Sequence, residues 1–360
     1  MKKLFLLFLL SKTLILHAND GAYKGSGNHI VPIYESTISI NKEILTIKRV
    51  NKDFISVNVY YEFYNPKDPK KIKVGFEAMG AYGDVNGRPV NGQHPYMSNF
   101  TVSINNKHVD FETIVTDQKI DLENGLPQKW VETTEEHDMD FQSGQIDFVY
   151  LFEANFEKGI NVIQHSYIYE ISSSVEHFYS FDYVLSAAKR WAGGTIKDFT
   201  LIIDMGEFQE FDIRKTFFSN SNEWKMIGQG KFSDSKSLYD DISLLHTVIR
   251  TGTLIYEKEN FIPSNELFIS SKSTYSFDQS KCKIVPFSID FQEYNGEPET
   301  DFEKKIYRNL AFARRGYVFK TKELQSFYEK QSWYFPNSNY IANIEQLTTE
   351  EKLFTEKYSD

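Results

Sequence analysis

The sequence predicts a mainly β fold, with antiparallel sandwich-like units followed by a small C-terminal α-helical module. Two observations lead to this prediction. From residue 30 to about 290, apolar side chains alternate with polar ones, which is the pattern of half-buried strands. After residue 300 the apolar spacing becomes that of a helix.

The predicted strands are short and rich in Val, Ile, Tyr, Phe and Thr, residue types that favour strands. The segments that define the pattern are TISINKEILTIKRV, FISVNVYYEFYNP, KIKVGFEA, KDFTLIIDMG, HTVIRTGTLIYEKE and KIVPFSIDF. They recur at a spacing of roughly ten residues, which is typical of antiparallel sandwiches and not of parallel α/β units.

Two hairpins are predicted from turn residues. FTVSINNKHVDFETIV has Asn105-Asn106 between two strand patterns, and asparagine tolerates the positive φ of a tight turn. YLFEANFEKGINVIQHSYIYEIS has the same form, with Lys158-Gly159 at the bend.

An acidic connection, KWVETTEEHDMDFQSG, interrupts the strand pattern between Ile120 and Asp147. We therefore predict one β unit at 19–125 and a second at 126–293. The turn-forming segment YNGEPET then leads into a helical module at 294–360.

The helical module is predicted to contain three helices. In the first, Thr300 and Asp301 offer caps, and Gly316 stands where a left-handed C-terminal residue is expected. Its apolar face is formed by Phe302, Ile306, Leu310 and Ala313. A second helix begins near Thr321, and the capping-box pattern from Thr348 to Glu351 opens a third.

The first eighteen residues, MKKLFLLFLLSKTLILHA, have the form of a secretory signal peptide (residues 1–18), with an N-terminal membrane anchor as the alternative. Its removal takes away three lysines and changes the formal charge from −10 to −13. So acidic a chain excludes nucleic acid as an expected partner. No later segment is apolar enough to span a membrane, and we expect an exported protein, periplasmic or extracellular.

The candidate metal ligands do not form a recognisable site. Cys282 is the only cysteine, lies in a strand-like segment and is expected to be buried. None of the histidines has zinc-site spacing, and His165 and His177 are expected to be strand residues with satisfied ring nitrogens. The acidic residues between Glu132 and Asp140 leave a calcium site open. We assign no metal and no cofactor.

The segment IYRNLAFARRGYVFKTKELQSFYEKQSWY resembles the YARHG domain of exported bacterial proteins. The naming motif stands here as FARRG, residues 312–316, with Phe in place of Tyr and Arg in place of His. The residues that keep the pattern are Arg314, Gly316, Tyr317, Phe319, Trp333 and Tyr334. The resemblance covers roughly residues 300–355. It implies an extracytoplasmic protein associated with the cell wall, and it supplies no catalytic residue.

The strand-rich part is similar, more diffusely, to a family of exported bacterial β-proteins without an assigned activity. The similarity rests on NDGAYKGSG, STISINKEILTIKRV and FDYVLSAAKRWAGGTIKDFTLII. It implies a location and not an activity.

A basic cluster is the main candidate binding site. Seven cations and no acid lie between Lys304 and Lys322. Helical periodicity places Lys304, Lys305, Arg308 and Arg315 on the face opposite the apolar residues. This face could bind an anionic ligand, wall polymer or an envelope protein, or it could be a solvated face that docks on the acidic β part.

The remaining motif residues have mainly structural interpretations. Arg314 lies off the basic face and is expected to brace the loop that carries Trp333-Tyr334. Gly316 is expected to be conformational. The aromatic rings, among them Tyr317, are expected to form the module's core and not a platform for stacking sugars.

The sequence contains no GxSxG signature and no cysteine paired with a nearby histidine. We expect a non-catalytic cell-envelope binding or interaction protein. One alternative is an envelope hydrolase, which requires a pocket in residues 19–290 lined by two carboxylates or by Ser and His. Another is a purely structural protein, in which Lys304, Arg308 and Arg315 face acids of the same chain.

Overall fold

The computed structural model describes most of the chain. The described ranges are 28–32, 36–78, 87–116, 147–172, 179–237, 241–271, 287–288 and 297–359. The predicted signal peptide, Cys282, His177 and the acidic segment 132–140 lie outside these ranges. We call residues 28–288 the β part and residues 297–359 the helical module.

The β part consists of strands of 2 to 19 residues. The first seven are β1 (Asn28–Pro32), β2 (Ser39–Arg49), β3 (Phe54–Asn65), β4 (Lys70–Ala78), β5 (Met97–Ile104), β6 (Lys107–His108) and β7 (Phe111–Thr116). The others are β8 (Asp147–Phe156), β9 (Gly159–Glu170), β10 (Ser180–Tyr183), β11 (Ile196–Asp204), β12 (Gln209–Arg214), β13 (Trp224–Lys236), β14 (Ser243–Phe261) and β15 (Leu267–Ser271).

These strands form two sheets. The small sheet has the order β1-β4-β8-β7, and the large one has the order β10-β15-β12-β14-β11-β2-β3-β9-β5-β6, with β13 paired to β14. All pairs are antiparallel except β2 with β11, which is parallel. The predicted fold class, mainly β with a small helical module, is confirmed.

The small sheet packs face to face on the large one. Phe156 of β8 meets Phe63 of β3 edge-on, with ring centroids 5.7 Å apart, and Phe76 of β4 lies 5.4 Å from Tyr167 of β9. Both sheets contribute to one hydrophobic core, in which these aromatic side chains are buried. Burial of this apolar area is the main stabilising contribution of the sandwich.

The turn at Asn105-Asn106 is confirmed, but the hairpin extends only over β5 and the two-residue β6, because β7 joins the small sheet. Both residues have positive φ, at 50° and 65°, as a two-residue turn of this hand requires. The Asn105 side chain then fixes the turn to β9, because its Oδ1 accepts a hydrogen bond from the Val162 amide at 2.8 Å and its Nδ2 donates to Asn161 Oδ1 at 3.1 Å.

The second predicted hairpin is wrong, although the bend is where it was expected. Gly159 has a φ of 98°, but β8 joins the small sheet and β9 joins the large one, so the chain passes between sheets. The buried Asn161 holds this connection, since it accepts from the Glu157 amide at 2.8 Å and donates to the Glu157 carbonyl at 2.8 Å. Strand periodicity predicts a bend but not the sheet that the next strand joins.

Strands on either side of the acidic connection pair with each other. β8 lies between β4 and β7 in the small sheet, and β9 lies between β3 and β5 in the large one. Pairing therefore crosses the boundary that the sequence analysis places at 125–126, and the two stretches share both sheets and one core.

His165 differs from its prediction. It is a strand residue of β9 and only 3% exposed, but neither ring nitrogen has a hydrogen-bond partner among the described residues. Aromatic rings surround it: Phe76 lies 5.0 Å away and Tyr61 6.0 Å. This burial lowers the pKa of His165 to about 3, so the ring is neutral.

The helical module contains α1 (Asp301–Arg314), α2 (Lys322–Glu329) and α3 (Thr349–Lys357). Thr300 caps α1 and Thr348 caps α3, each in a complete capping box with the glutamate three residues on; the box at Thr348 was predicted and the one at Thr300 was not. No helix among the described residues is both long and apolar enough to cross a membrane.

Candidate functional site

The four predicted binding cations do not form one surface. Lys304 and Lys305 are exposed on the first turns of α1, and Arg308 is half-buried one turn later. Arg315 follows the helix and points back into the module, where its two terminal nitrogens each lie 2.8 Å from a different carboxylate oxygen of Glu351. Arg315 is therefore engaged within the chain, as the structural interpretation of this residue expects.

Glu351 is the centre of a buried ion cluster that joins α1 to α3. Its side chain is 3% exposed and also lies 3.5 Å from Nη1 of Arg314. The ring of Phe208, from the β part, covers both guanidinium groups at 4.4 and 4.9 Å. Burial lowers the pKa of Arg314, and the charge of Glu351 opposes that effect. The fork geometry of arginine suits this carboxylate, because each oxygen receives its own donor.

Gly316 ends α1 with a left-handed turn, as predicted. Its φ is 84°, its amide donates to the Ala313 carbonyl at 2.8 Å, and the Tyr317 amide donates to the Phe312 carbonyl at 3.0 Å. A side chain at Gly316 would place its Cβ 2.3 Å from the Phe335 carbonyl oxygen. Glycine is therefore favoured at position 316 both by the left-handed backbone conformation and by the lack of room for a Cβ atom.

The aromatic residues of the motif mostly form the module's core. Trp333 is 2% exposed, Tyr334 is 6% exposed, and Phe319 is also buried. Tyr317 is half-buried, and its carbonyl accepts a 2.6 Å hydrogen bond from the Tyr334 hydroxyl. Buried rings of this kind cannot offer a stacking surface to a sugar.

Arg250 of β14 joins the β part to the helical module. Its Nε donates to the Arg314 carbonyl at 3.1 Å and its Nη2 donates to the Phe335 carbonyl at 2.7 Å, while Nη1 reaches Gln229 of β13 at 3.2 Å. The guanidinium thus satisfies a carbonyl at the C-terminal end of α1, where a positive charge is favourable. It also holds the loop after Trp333-Tyr334, the role that the sequence analysis gives to Arg314.

Apolar contacts extend this junction. The ring of Phe287 stacks on that of Trp333 at 5.4 Å, and Val248 of β14 belongs to the same buried cluster. The helical module is therefore packed on the β part, with Arg250 at the centre of the contact.

A shallow groove of about 350 Å³ lies on the outer face of the large sheet. We call it the neutral groove, since its polar lining residues are mostly hydroxyl and amide side chains and include no Asp, Glu, Lys or Arg. The residues are Ile44, Thr46, Asn58, Val59, Tyr60, Thr101, Val102, Ser103, His108, Gln164, His165 and Ser166. They lie on the adjacent strands β2, β3, β9, β5 and β6 of the large sheet, so the backbone that carries them is held by strand pairing.

A second groove, of about 950 Å³, lies between the outer face of the small sheet and the β5–β6 hairpin. We call it the charged groove. Its ionisable residues are Lys71, Lys73, Lys107, His108, Asp110, Glu112, Glu153 and Glu157. Lys71 and Glu153 form an exposed ion pair across β4 and β8.

Sequence reasoning missed Arg250, Phe208 and both grooves. Arg250 stands in an ordinary strand pattern, and nothing local indicates that it contacts residues more than sixty positions away. Most polar residues of the grooves alternate with buried ones along their strands, as solvent-facing side chains do, so only the assembly of the strands brings them together. Among the described residues, no group of three or more His, Cys, Asp or Glu could hold a metal ion.

Comparison with known proteins agrees with this architecture. Residues 291–358 match the YARHG domain. The helical module is therefore similar to this family over nearly its whole described length, and we call it the YARHG domain below. No curated protein matches the chain.

One solved structure resembles nearly the whole chain. It is a “putative nutrient binding protein” from Legionella pneumophila, 19% identical, with a TM-score of 0.52, and the match covers 95% of this chain and 100% of that one. This similarity shows a shared fold for the β part and the YARHG domain together.

Two other matches are weaker. An M1 zinc metallopeptidase from Deinococcus radiodurans is 11% identical with a TM-score of 0.23, over 65% of this chain and 42% of that one. Baculovirus P35 is 10% identical with a TM-score of 0.28, over 68% and 99%. Similarity at this level is too low to indicate a shared fold or activity.

Proposed function

We propose that this protein is a non-catalytic, exported binding protein of the bacterial cell envelope. The YARHG domain contacts wall polymer or another anionic envelope partner through Lys304, Lys305 and Arg308. The signal-like N-terminus and the YARHG match at 291–358 support the location. The name of the Legionella structure supports a binding role rather than a reaction.

The observation that carries the proposal is the way the YARHG domain is docked. The C-terminal end of α1 faces inward, where Arg250, Arg314, Arg315 and Glu351 lie together. Lys304 and Lys305, near the other end of α1, are exposed. The partner-facing part of the predicted basic face is thus the N-terminal half of α1, and an acidic chain that presents lysines there suits a negatively charged polymer.

Co-sedimentation with purified cell-wall sacculi tests the proposal. The test variant is Lys304→Glu/Lys305→Glu/Arg308→Glu in the mature chain. The matched control is Lys320→Glu/Lys322→Glu/Lys330→Glu, which makes the same charge change at three exposed positions in and beside α2. We expect at least a tenfold loss of retention in low salt for the first variant only, and weaker retention of the wild type as salt rises.

Equal retention of the two variants would remove α1 from the binding surface. The same assay tests the hydrolase alternative. The charged groove contains four carboxylates, and a hydrolase of this kind would need at least two. Release of soluble wall fragments by the wild type, abolished by Glu112→Gln or Glu157→Gln, would replace binding by hydrolysis as the function.

A further inference from the structure

The two grooves of the β part meet at one residue. His108 lines both the neutral groove and the charged groove, and it is exposed on the short strand β6. The hairpin that carries it is fixed, because Asn105 at its turn is hydrogen-bonded to Val162 and Asn161. The β5–β6 hairpin is therefore a fixed element that contributes to both grooves.

The neutral groove has the chemistry of a polyol site. Its lining offers hydroxyl groups from Thr46 and Ser103 and amides from Asn58 and Gln164, which can both donate and accept hydrogen bonds. The hydroxyls of Thr101 and Ser166 lie 2.9 Å apart. Groups of this kind match the closely spaced hydroxyls of a sugar and do not require a charge on the ligand.

Two features distinguish this face from an ordinary solvent-facing sheet. The pairing of β5 with β9 shifts register between Ser98 and Thr101, and Asn99 there has a φ of 56°. Irregularities of this kind re-aim side chains and are frequent beside functional sites. Tyr60 adds a half-buried ring, held in place by a 2.9 Å hydrogen bond from its hydroxyl to Glu62.

The charged groove has the complementary chemistry of a zwitterionic peptide site. Three lysines and four carboxylates line it, so both the amino and the carboxylate groups of a short peptide find a partner of opposite sign. The volumes of the two grooves, about 350 and 950 Å³, lie in the usual range for ligand sites of roughly 300–1,000 Å³.

We propose that the two grooves together bind a glycan that carries short charged peptides. The sugar lies in the neutral groove, the peptide lies in the charged groove, and His108 contacts the linkage between them. This site is separate from the cations of α1, although the choice of ligand rests on the proposed envelope location. A neutral glycan alone would leave the charged groove unused, and a peptide alone would leave the neutral groove unused.

Isothermal titration with three soluble probes tests this inference. The probes are a wall-derived disaccharide that carries a tetrapeptide, the same disaccharide without peptide, and the free tetrapeptide. We expect the complete fragment to bind at least tenfold more tightly than either half. Asn58→Ala/Gln164→Ala should lower the affinity for the complete fragment and abolish binding of the disaccharide. Lys73→Ala/Glu112→Ala should lower the affinity for the complete fragment and abolish binding of the free tetrapeptide.

Thr253→Ala on β14, outside both grooves, is the matched control and should leave all three affinities unchanged. Absence of binding by the complete fragment, or the same affinity in both groove variants as in the wild type, would overturn the inference. Binding of one half as tightly as the whole would restrict the ligand to that class and also reject the joint site.

The two proposals fail in different ways. The α1 variant Lys304→Glu/Lys305→Glu/Arg308→Glu should still bind the soluble fragment with wild-type affinity. If sacculi are retained but the fragment does not bind, the groove site is wrong and the role of α1 stands. If the fragment binds but the α1 variant is fully retained on sacculi, the groove site stands and the role of α1 is wrong.

Discussion

Glu43 in the β part and Glu351 in the YARHG domain are both buried, but their surroundings differ in the opposite sense. Glu351 in α3 is 2% exposed and faces the guanidinium groups of Arg314 and Arg315. Glu43 in β2 is 3% exposed and has a phenol as its partner, the Tyr61 hydroxyl at 3.3 Å. Loss of water around Glu43, without a cation to compensate, raises its pKa to about 8, and the Tyr61 hydrogen bond only partly opposes this.

The difference shows how the two regions are stabilised. The YARHG domain is small, with three α-helices among its described residues, and it adds buried ion pairs and hydrogen-bonded carbonyls to a modest aromatic core. The β part has one large apolar core and tolerates a polar side chain there by keeping it neutral. Changes of charge should therefore act in opposite directions in the two regions.

Removal of the carboxylate in the YARHG domain has the largest expected effect. Glu351→Ala leaves the buried Arg314 and the half-buried Arg315 without their carboxylate, and it also breaks the capping box of α3. We expect a loss of about 3–5 kcal/mol of unfolding free energy, measured by urea denaturation. Glu356→Gln, exposed on the same helix, is the control and should cost less than about 0.5 kcal/mol. A similarly small loss for Glu351→Ala would contradict the role of the cluster.

Neutralisation of the carboxylate in the β part should have the opposite sign. Because the folded-state pKa of Glu43 is raised, its proton stabilises the fold fully below pH 4.5, and that contribution is lost as pH rises through about 8. Wild-type stability should thus fall by on the order of 3 kcal/mol between pH 5 and pH 8. Glu43→Gln should remove most of this pH dependence and be the more stable protein at pH 8.

Unfolding free energies of both proteins at the two pH values check this prediction. Glu259→Gln, exposed on β14, controls for the general change in charge and should keep the wild-type slope. The account of Glu43 is wrong if Glu43→Gln is less stable than the wild type at pH 8.

Two glycines with positive φ differ in the space around a Cβ atom, and their substitution should have smaller effects on stability. Gly316→Ala combines a positive φ with a Cβ that meets the Phe335 carbonyl at 2.3 Å and Arg250 at 2.7 Å, so we expect a loss of about 2–3 kcal/mol. Gly159→Ala has a φ of 98° but no atom within 4 Å of its Cβ, and it should cost about 1 kcal/mol. Thermal denaturation can rank the two variants, and equal losses would mean that the contact with Arg250 is unimportant.

Local patterns predicted much of this structure. The period of two gave the strands, Thr300 and Thr348 gave the helix starts, and Gly316 gave the end of α1, because caps and turns depend on neighbouring residues only. The sheet to which β9 belongs was not predictable, since that depends on pairing over a long distance.

The candidate site shows the same limit. Helical spacing correctly put Lys304 and Lys305 on an exposed face, but it also put Arg315 there, because no periodicity indicates a partner on α3. Arg250 was missed for a related reason. Residues 247–250 are buried on both faces of β14, and one face is covered by a domain that comes fifty residues later.

The central claim is that the YARHG domain is part of one packed structure with the β part and that Arg250 holds it there. Hydrogen exchange of the mature protein tests this claim most directly, in the wild type, Arg250→Met and the control Arg214→Met. Arg250→Met should speed exchange at least tenfold in residues 313–317 and 331–337 and leave β2, β3 and β9 unchanged. Wild-type protection of both YARHG segments in Arg250→Met would contradict the claim.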